Sequence, residues 1–264
     1  MLRSWALHEP VREGFVVDQA IIASAEALVR ARRGGTFIEG LPMEPSSIAH
    51  AHAIQDQVAH MLGEMVGAFK ANAPPDQVPT RGLIYARHVL TSPARVPTAV
   101  APHRGVEGEV AFRFTRDFPP RAEAYTRAEV ASALIAMPAI EVVSPRFPDA
   151  RTRPALEQLA DNIANAALVL GHETVSWSHL DFKRLRVEMR VNDQPVAEGE
   201  GGHPIDDPVH VAVALVNLMR EGNGVSAGQM VTTGSWTGLR FLRPGDRCSV
   251  SFDTLGSAEV TFIA

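Results

Sequence analysis

Cysteine is nearly absent. The single Cys248 in 264 residues excludes an intrachain disulfide and any thiolate zinc cluster. Lysine is almost as scarce: of 25 basic residues only Lys70 and Lys183 are lysine, and the other 23 are arginine. Arginine holds its proton throughout the physiological range, whereas a buried lysine can release one. The two lysines are therefore candidates for chemistry. No apolar run approaches the ~18 residues of a membrane-spanning helix. The first residues carry Arg3, His8, Glu9 and Arg12 with no apolar stretch between them, which does not fit a secretory signal. Basic excess is missing too. A net charge of -5 gives no footprint for nucleic acid. There is no phosphate loop, no G-x-G-x-x-G and no G-x-S-x-G, so nucleotide cofactors and a serine nucleophile elbow have no support. The expectation is a soluble cytoplasmic protein without nucleic-acid or membrane partners. What remains is ordinary globular material, 45% hydrophobic and 21% charged. The length suits one large domain or two small ones.

The pattern along the chain is α+β. Asp18 is an N-cap candidate for a helix over 18–33, which Gly34 and Gly35 stop. Ile48, Ala51, Gln55, Val58 and Leu62 recur at helical steps and predict a second helix over 47–64. Gln55 on that apolar face reads as a boundary residue covered by a neighbour. His50, His52 and His60 on the same helix read as exposed or structurally satisfied. Residues 65–72 form a short strand, with Lys70 on the face of Val66 and Ala68. The proline-rich stretch 73–103 reads as irregular structure with short extended pieces. It suggests a seam between a helical N-terminal region, 1–75, and a β-rich remainder, 76–264. Residues 106–114 alternate as a strand. Thr126 and Glu129 form a capping box for a helix through Val130, Leu134 and Met137, closed by Pro138. Strands follow over 139–144 and 166–170, and across 177–189. Asp206-Asp207-Pro208 opens another helix. The tail is β: 228–236, 248–253 and 258–263. An exposed apolar segment, Phe15-Val16-Val17, is a candidate association surface.

Glu107 and Glu109 lie two apart on a strand and so project from one face, with backbone origins ~6–7 Å apart. Two ionised carboxylates that close repel unless a cation lies between them. Glu141 sits in the otherwise apolar run Ala139-Ile140-Glu141-Val142-Val143, where an unpaired charge is costly. Three carboxylates without a thiol make a hard oxygen site that suits Mg2+ or Mn2+. The competing reading is a solvated strand face on which Arg104 or Arg113 neutralises the glutamates. Asp161-Asn162, before an apolar run, reads as a buried polar pair or a helix end. The run Thr232 to Gly238 offers hydroxyls and small residues, suited to a carboxylate contact or to an ordinary turn.

In order along the chain stand Gly67-Ala68-Phe69-Lys70, VEGEVAFRF, AIEVV with Ser144-Pro145-Arg146, ADNIANAALVLG, SAGQMVTTGS and RPGD with its closing strands. This succession resembles the 2-keto-4-pentenoate hydratase / 2-oxohexenedioate decarboxylase family of the fumarylacetoacetate hydrolase superfamily, over nearly the whole chain. The resemblance implies a mixed β-roll or sandwich with a helical N-terminal region. It implies Mg2+ or Mn2+ held by Glu107, Glu109 and Glu141, with Lys70 as acid/base. It points to Asp161, Gly234 and Ser235 as substrate contacts. The implied activity is that of a lyase adding water to a short unsaturated 2-oxo acid through a metal-stabilised enolate, as in aromatic breakdown. Decarboxylation of a 2-oxo-3-hexenedioate type of acid is the alternative. Carbon–carbon hydrolysis ranks third, since its Glu–His dyad has no counterpart, and a non-catalytic partner subunit is the rival from another class. A homo-oligomer, with a partner enzyme of the same pathway, is also implied.

The chain departs from the pattern beside the lysine. Ala71-Asn72 follow Lys70 where similar hydratases have Val/Ile-Gly. Pro79-Thr80-Arg81-Gly82 stands where they carry Pro-Asp-aromatic-Gly. The acidic partner of the lysine is therefore missing there. Arg81 is expected near the site, binding a second substrate carboxylate and, together with burial, lowering the pKa of Lys70.

Overall fold

Helices open where side chains cap them. In the computed structural model, which describes residues 18–174 and 176–264, Asp18 accepts a hydrogen bond from the Ala20 amide and starts α1, Gln19–Gly34. Ser47 accepts from the His50 amide and starts α2, Ile48–Leu62. Gly35 and Gly63, both left-handed, end the two helices. Phe15-Val16-Val17 lies outside the described residues.

The chain then becomes sheet. In order come β1 (Val66–Asn72), β2 (Thr80–Tyr85), β3 (Val89–Thr91), β4 (Ala94–Pro97) and β5 (Gly105–Phe114). The short α3 (Arg127–Ala131), β6 (Leu134–Val143), α4 (Ala155–Ala160) and β7 (Asn165–Leu170) follow. The remainder is β8 (Arg186–Val191), β9 (Gln194–Glu200), α5 (Pro208–Met219), β10 (Met230–Ser235), β11 (Arg240–Phe241), β12 (Arg247–Phe252) and β13 (Gly256–Ile263). One sheet runs β2-β1-β10-β5-β6-β7-β3, with β11 added to β5, and the other runs β4-β13-β12-β8-β9. The architecture is α+β, as expected.

The larger sheet is rolled. Ala68, Ile84, Ala111, Met137, Ala139, Leu168 and Leu170 come from strands at both ends and the middle of its order, yet they pack in one buried cluster. That is possible only if the sheet curls so that β2 approaches β7. The opposite face, carrying Phe69, Leu83, Val110, Phe112, Val142 and Ala167, belongs to the main core with the helices and the second sheet. Strand alternation therefore sorts side chains into an inner and an outer set.

Two expectations need correcting. The capping box at Thr126 and Glu129 is present, but its helix stops at Ala131, and Leu134 and Met137 belong to β6. Residues 177–185 are not strand, and only Arg186–Val191 pairs. β1 is hydrogen-bonded between β2 and β10, so the N-terminal region supplies a strand to the sheet.

Candidate metal centre

The inner face of the roll carries the charge. Glu107 pairs across strands with Glu141, and Glu109 with Ala139, so all three glutamates share one face of β5 and β6. One carboxylate oxygen from each lies within 4.8 Å of the others. Glu109 and Glu141 are almost fully buried. Arg104 and Arg113, the alternative neutralisers, are engaged elsewhere. Arg113 pairs with Glu173, and Arg104 donates to backbone carbonyls of Pro102 and Leu242.

Lys70 comes to the same place from β1. Its Nζ lies 3.0 Å from Glu141 Oε2 and 3.5 Å from Glu107 Oε2. Burial alone pushes the ammonium pKa down, but Glu141, Glu107 and Glu109 outweigh it and hold the pKa above the ordinary lysine value. The expected depression is thus reversed in the cluster as it stands. Burial pushes the carboxyl pKa values up, well up at Glu141, and the neighbouring glutamates add to it while Lys70 opposes it.

The carboxylates are held by short local devices. Glu109 Oε2 accepts from the Thr232 hydroxyl and, at 2.8 Å, from the Gly234 amide. Gly234 has φ +122°, a conformation that suits glycine, at the irregularity where β10 shifts register against β5. The shift sets Ser235 opposite Glu109, and its hydroxyl is buried without a hydrogen-bond partner. Glu141 Oε1 accepts from Asn165 Nδ2 at 2.9 Å. Asn162, Ile163 and Ala164 all have positive φ, between 53° and 62°. Three successive non-glycine residues in that region are strained. The turn they make places Asn165 at the head of β7, against Glu141.

Sequence reasoning missed Asn165 and Thr232 as supports. Both lie inside the quoted motifs, but only the fold shows which side chains in those motifs reach a carboxylate. Gln55 is structural, as expected: its Nε2 donates to the carbonyls of Arg81 and Leu159.

Two predicted substrate contacts do not come to the cluster. Arg81 pairs with Ala71, whereas Lys70 pairs with Gly82, so Arg81 points to the outer face of the sheet. There its Nη2 donates to both oxygens of Asp56 at 2.8 Å and its Nη1 to Gln55 Oε1 at 2.9 Å, tying β2 to α2. Alternation overrides proximity in sequence. Asp161 is also engaged away from the trio. One oxygen pairs with Arg32 at 2.6 Å and the other accepts from the Arg146 amide at 2.6 Å. It is a buried clamp with both oxygens bonded.

The donor set tests well against a divalent cation. Three carboxylates face one ammonium, which leaves two negative charges in a nearly closed site. All the donors are hard oxygen atoms, and their spacing lets a single ion touch one from each. Such sets suit Mg2+-type ions rather than Zn2+ or Cu2+.

The comparisons with known proteins agree. The family model described as "Fumarylacetoacetate (FAA) hydrolase C-terminal" matches residues 53–263. A 2-keto-4-pentenoate hydratase 1 from Dechloromonas aromatica (strain RCB) is 30% identical over 208 residues, covering 76% of this chain and 78% of the relative. A 2-keto-4-pentenoate hydratase from Burkholderia vietnamiensis (strain G4 / LMG 22486) is 27% identical over 260 residues, covering 93% and 98%. Among solved structures, 4-oxalocrotonate decarboxylase from Pseudomonas putida G7, complexed with magnesium and adipate, superposes with a TM-score of 0.80 at 21% identity. It covers 92% of this chain and 97% of that one, and at this identity the likeness speaks for the fold. With that matched span, this chain belongs to the fumarylacetoacetate hydrolase family.

Proposed function

We propose that this chain is a divalent-metal-dependent lyase that adds water to a short unsaturated 2-oxo, or 2-hydroxydienoic, acid. The observation that carries this reading is the buried trio Glu107, Glu109 and Glu141 with the Lys70 ammonium against it. The hydratase relatives support the choice of reaction. We assign Mg2+ or Mn2+ to the three glutamates. When bound, the ion would act as a Lewis acid toward the oxygens of a 2-oxo acid and stabilise negative charge on the C2 oxygen.

The chain's own residues then have distinct tasks. Lys70 is the one cationic side chain among the described residues that faces the trio. It is placed to hand a proton to, or take one from, a substrate carbon or oxygen at that face. Thr232, the Gly234 amide and Asn165 fix Glu109 and Glu141, so that the trio does not rearrange during turnover. The free Ser235 hydroxyl is a donor for the substrate carboxylate, beside Gly234. Gly82, across from Lys70 on β2, brings no side chain to the inner face. Thr80 stands on that same face where similar hydratases carry an acid. We assign the acid's proton-handling to the trio's own neighbourhood and to solvent.

Decarboxylation of an unsaturated 2-oxo dicarboxylic acid is the second reading. A 4-oxalocrotonate decarboxylase of Pseudomonas putida, 27% identical over 135 residues, supports it. We further propose a cytoplasmic homo-oligomer that works beside a partner enzyme of its pathway. No helix among the described residues is long and apolar enough to cross a membrane.

The test is the ultraviolet decay of 2-hydroxypenta-2,4-dienoate with purified protein, first with Mg2+ and then with EDTA. Metal-dependent decay to 4-hydroxy-2-oxopentanoate is expected. No decay while calorimetry shows bound metal would overturn the hydratase reading in favour of the decarboxylase. No decay and no metal binding would favour a non-catalytic subunit.

A further inference from the structure

The outer face of the roll holds a second charged feature, and the carboxylate trio does not use it. A cavity of about 490 Å3 lies where the C-terminal ends of α1 and α2 meet β2, β4 and β7. Arg32, Arg33, Arg87, Arg95 and Arg146 line it, and no aspartate or glutamate does among the described residues. Ala167 also lines it. Ala167 pairs with Val142, whereas Leu168 pairs with Glu141, so the cavity and the carboxylates lie on opposite faces of one sheet.

The charge count leaves a surplus. Asp161, beneath the cavity, neutralises one guanidinium through its 2.6 Å contact with Arg32. Glu64 neutralises a second through a 2.8 Å contact with Arg87. Five arginines less two carboxylates leaves three positive charges. The C-terminal ends of α1 and α2 contribute roughly half a negative charge each. About two positive charges therefore remain without a partner.

Donors remain as well. The Nε–H groups of Arg32 and Arg146 are buried and bonded to nothing, although Arg146 is only 3% exposed. A buried charged group with an unmet donor is costly unless something supplies an acceptor. His88, which also lines the cavity, reports the same field. Burial pushes its pKa down to about 4, and Arg87, Arg32 and Arg146 add to that. Positive charge this dense, with no carboxylate lining the cavity among the described residues, favours an anion there.

We propose that this cavity is a binding site for a small multivalent oxyanion, a phosphate ester or a polycarboxylate, distinct from the carboxylate centre. Guanidinium forks recognise both chemistries in the same bidentate way. The volume is in the range of small-molecule pockets. A residual charge near +2 favours a ligand with two or more negative charges over a monovalent one. Asp161, which pairs with Arg32 and accepts from the Arg146 amide, opens the turn that leads to Asn165, so the site is connected through the backbone to the trio's support.

The experiment is titration calorimetry on the intact, metal-free protein, with pyrophosphate in one arm and tricarballylate in the other. Arg95 and Arg33 are exposed, so R33E/R95E is expected to fold, with R95Q as the milder variant. One saturable site is expected for at least one anion. R33E/R95E should weaken it by about tenfold or more and R95Q by a smaller factor, while E107Q leaves it unchanged. The tighter arm identifies the source of the oxyanion. No saturable heat with either anion at about ten millimolar would overturn the proposal. So would binding that survives the charge reversal, or that is lost in E107Q.

Discussion

Lys70 is the residue on which the chemistry turns, and its position has a measurable consequence. The ammonium sits 3.0 Å and 3.5 Å from oxygens of Glu141 and Glu107. A divalent cation in the trio must share those oxygens with it. Removing the ammonium therefore removes a competitor for negative charge and at the same time removes the proton carrier. Lys70→Met should bind Mn2+ several-fold more tightly by calorimetry while turnover falls by at least about a hundredfold. Glu109→Gln should do the opposite to binding and weaken the metal by tenfold or more. A Lys70→Met protein that binds metal less well than wild type would contradict the shared-oxygen geometry. The scarcity of lysine marked Lys70 in the sequence, and the E-x-E spacing with a lone glutamate in an apolar strand marked the trio. The direction of the lysine's pKa was not legible there. It depends on three carboxylates converging from two strands, which no local pattern encodes.

At the scale of elements, β2 and α2 carry a related lesson. Residue 81 is close to Lys70 in the sheet, but cross-strand partners share a face. Arg81 opposite Ala71 is thus as firmly outside as Gly82 opposite Lys70 is inside. Arg81 fastens the strand to the helix through Asp56 and Gln55. Arg81→Met should cost about 1–3 kcal/mol of stability, since it leaves the buried Gln55 oxygen without its donor. KM for the substrate should stay within about threefold. A large rise in KM with unchanged stability would restore Arg81 as a substrate contact. β6 shows how an element hid in the sequence. Pro138 read as a helix stop, yet it lies inside a central strand. Its carbonyl accepts from the Gly171 amide, so its missing N–H falls on the β7 side. There the Pro138–Gly171 pair keeps that one bond and lacks only its reciprocal, at the point where the β6–β7 ladder ends beyond Ala139–Leu170. Helix starts were legible because caps are local. The strands at 80–85 and 194–200 were not, because their partners are distant in the chain.

The whole molecule is a sheet rolled around a charged interior and clasped by helices, and its stability should depend on pH through the clasp. His52 on α2 is buried, and its Nε2 accepts the Arg81 amide at 3.2 Å. Burial, with Arg81 behind it, pushes its pKa down to about 4. The folded chain therefore keeps this histidine neutral where the unfolded chain, with an ordinary value near 6.5, takes a proton. Stability from this group is full above about pH 6.5. It declines as pH falls toward 4, where both states are protonated and the loss levels off. The full loss is of order 3 kcal/mol. The buried carboxylates of Glu109, Glu141 and Asp161, with raised pKa values, act in the opposite sense. The wild-type curve alone would mix the two. His52→Gln keeps an acceptor for the Arg81 amide and removes the titration, so the difference between the two proteins cancels the carboxylates. Urea unfolding at steps between pH 7.5 and 4.5 should show wild type losing stability relative to His52→Gln, with most of the change below pH 6.5. A difference that stays flat with pH would mean that His52 takes up its proton in the folded chain just as it does in the unfolded one. The contact joining α2 to β2 would then not have the donor and acceptor assigned to it.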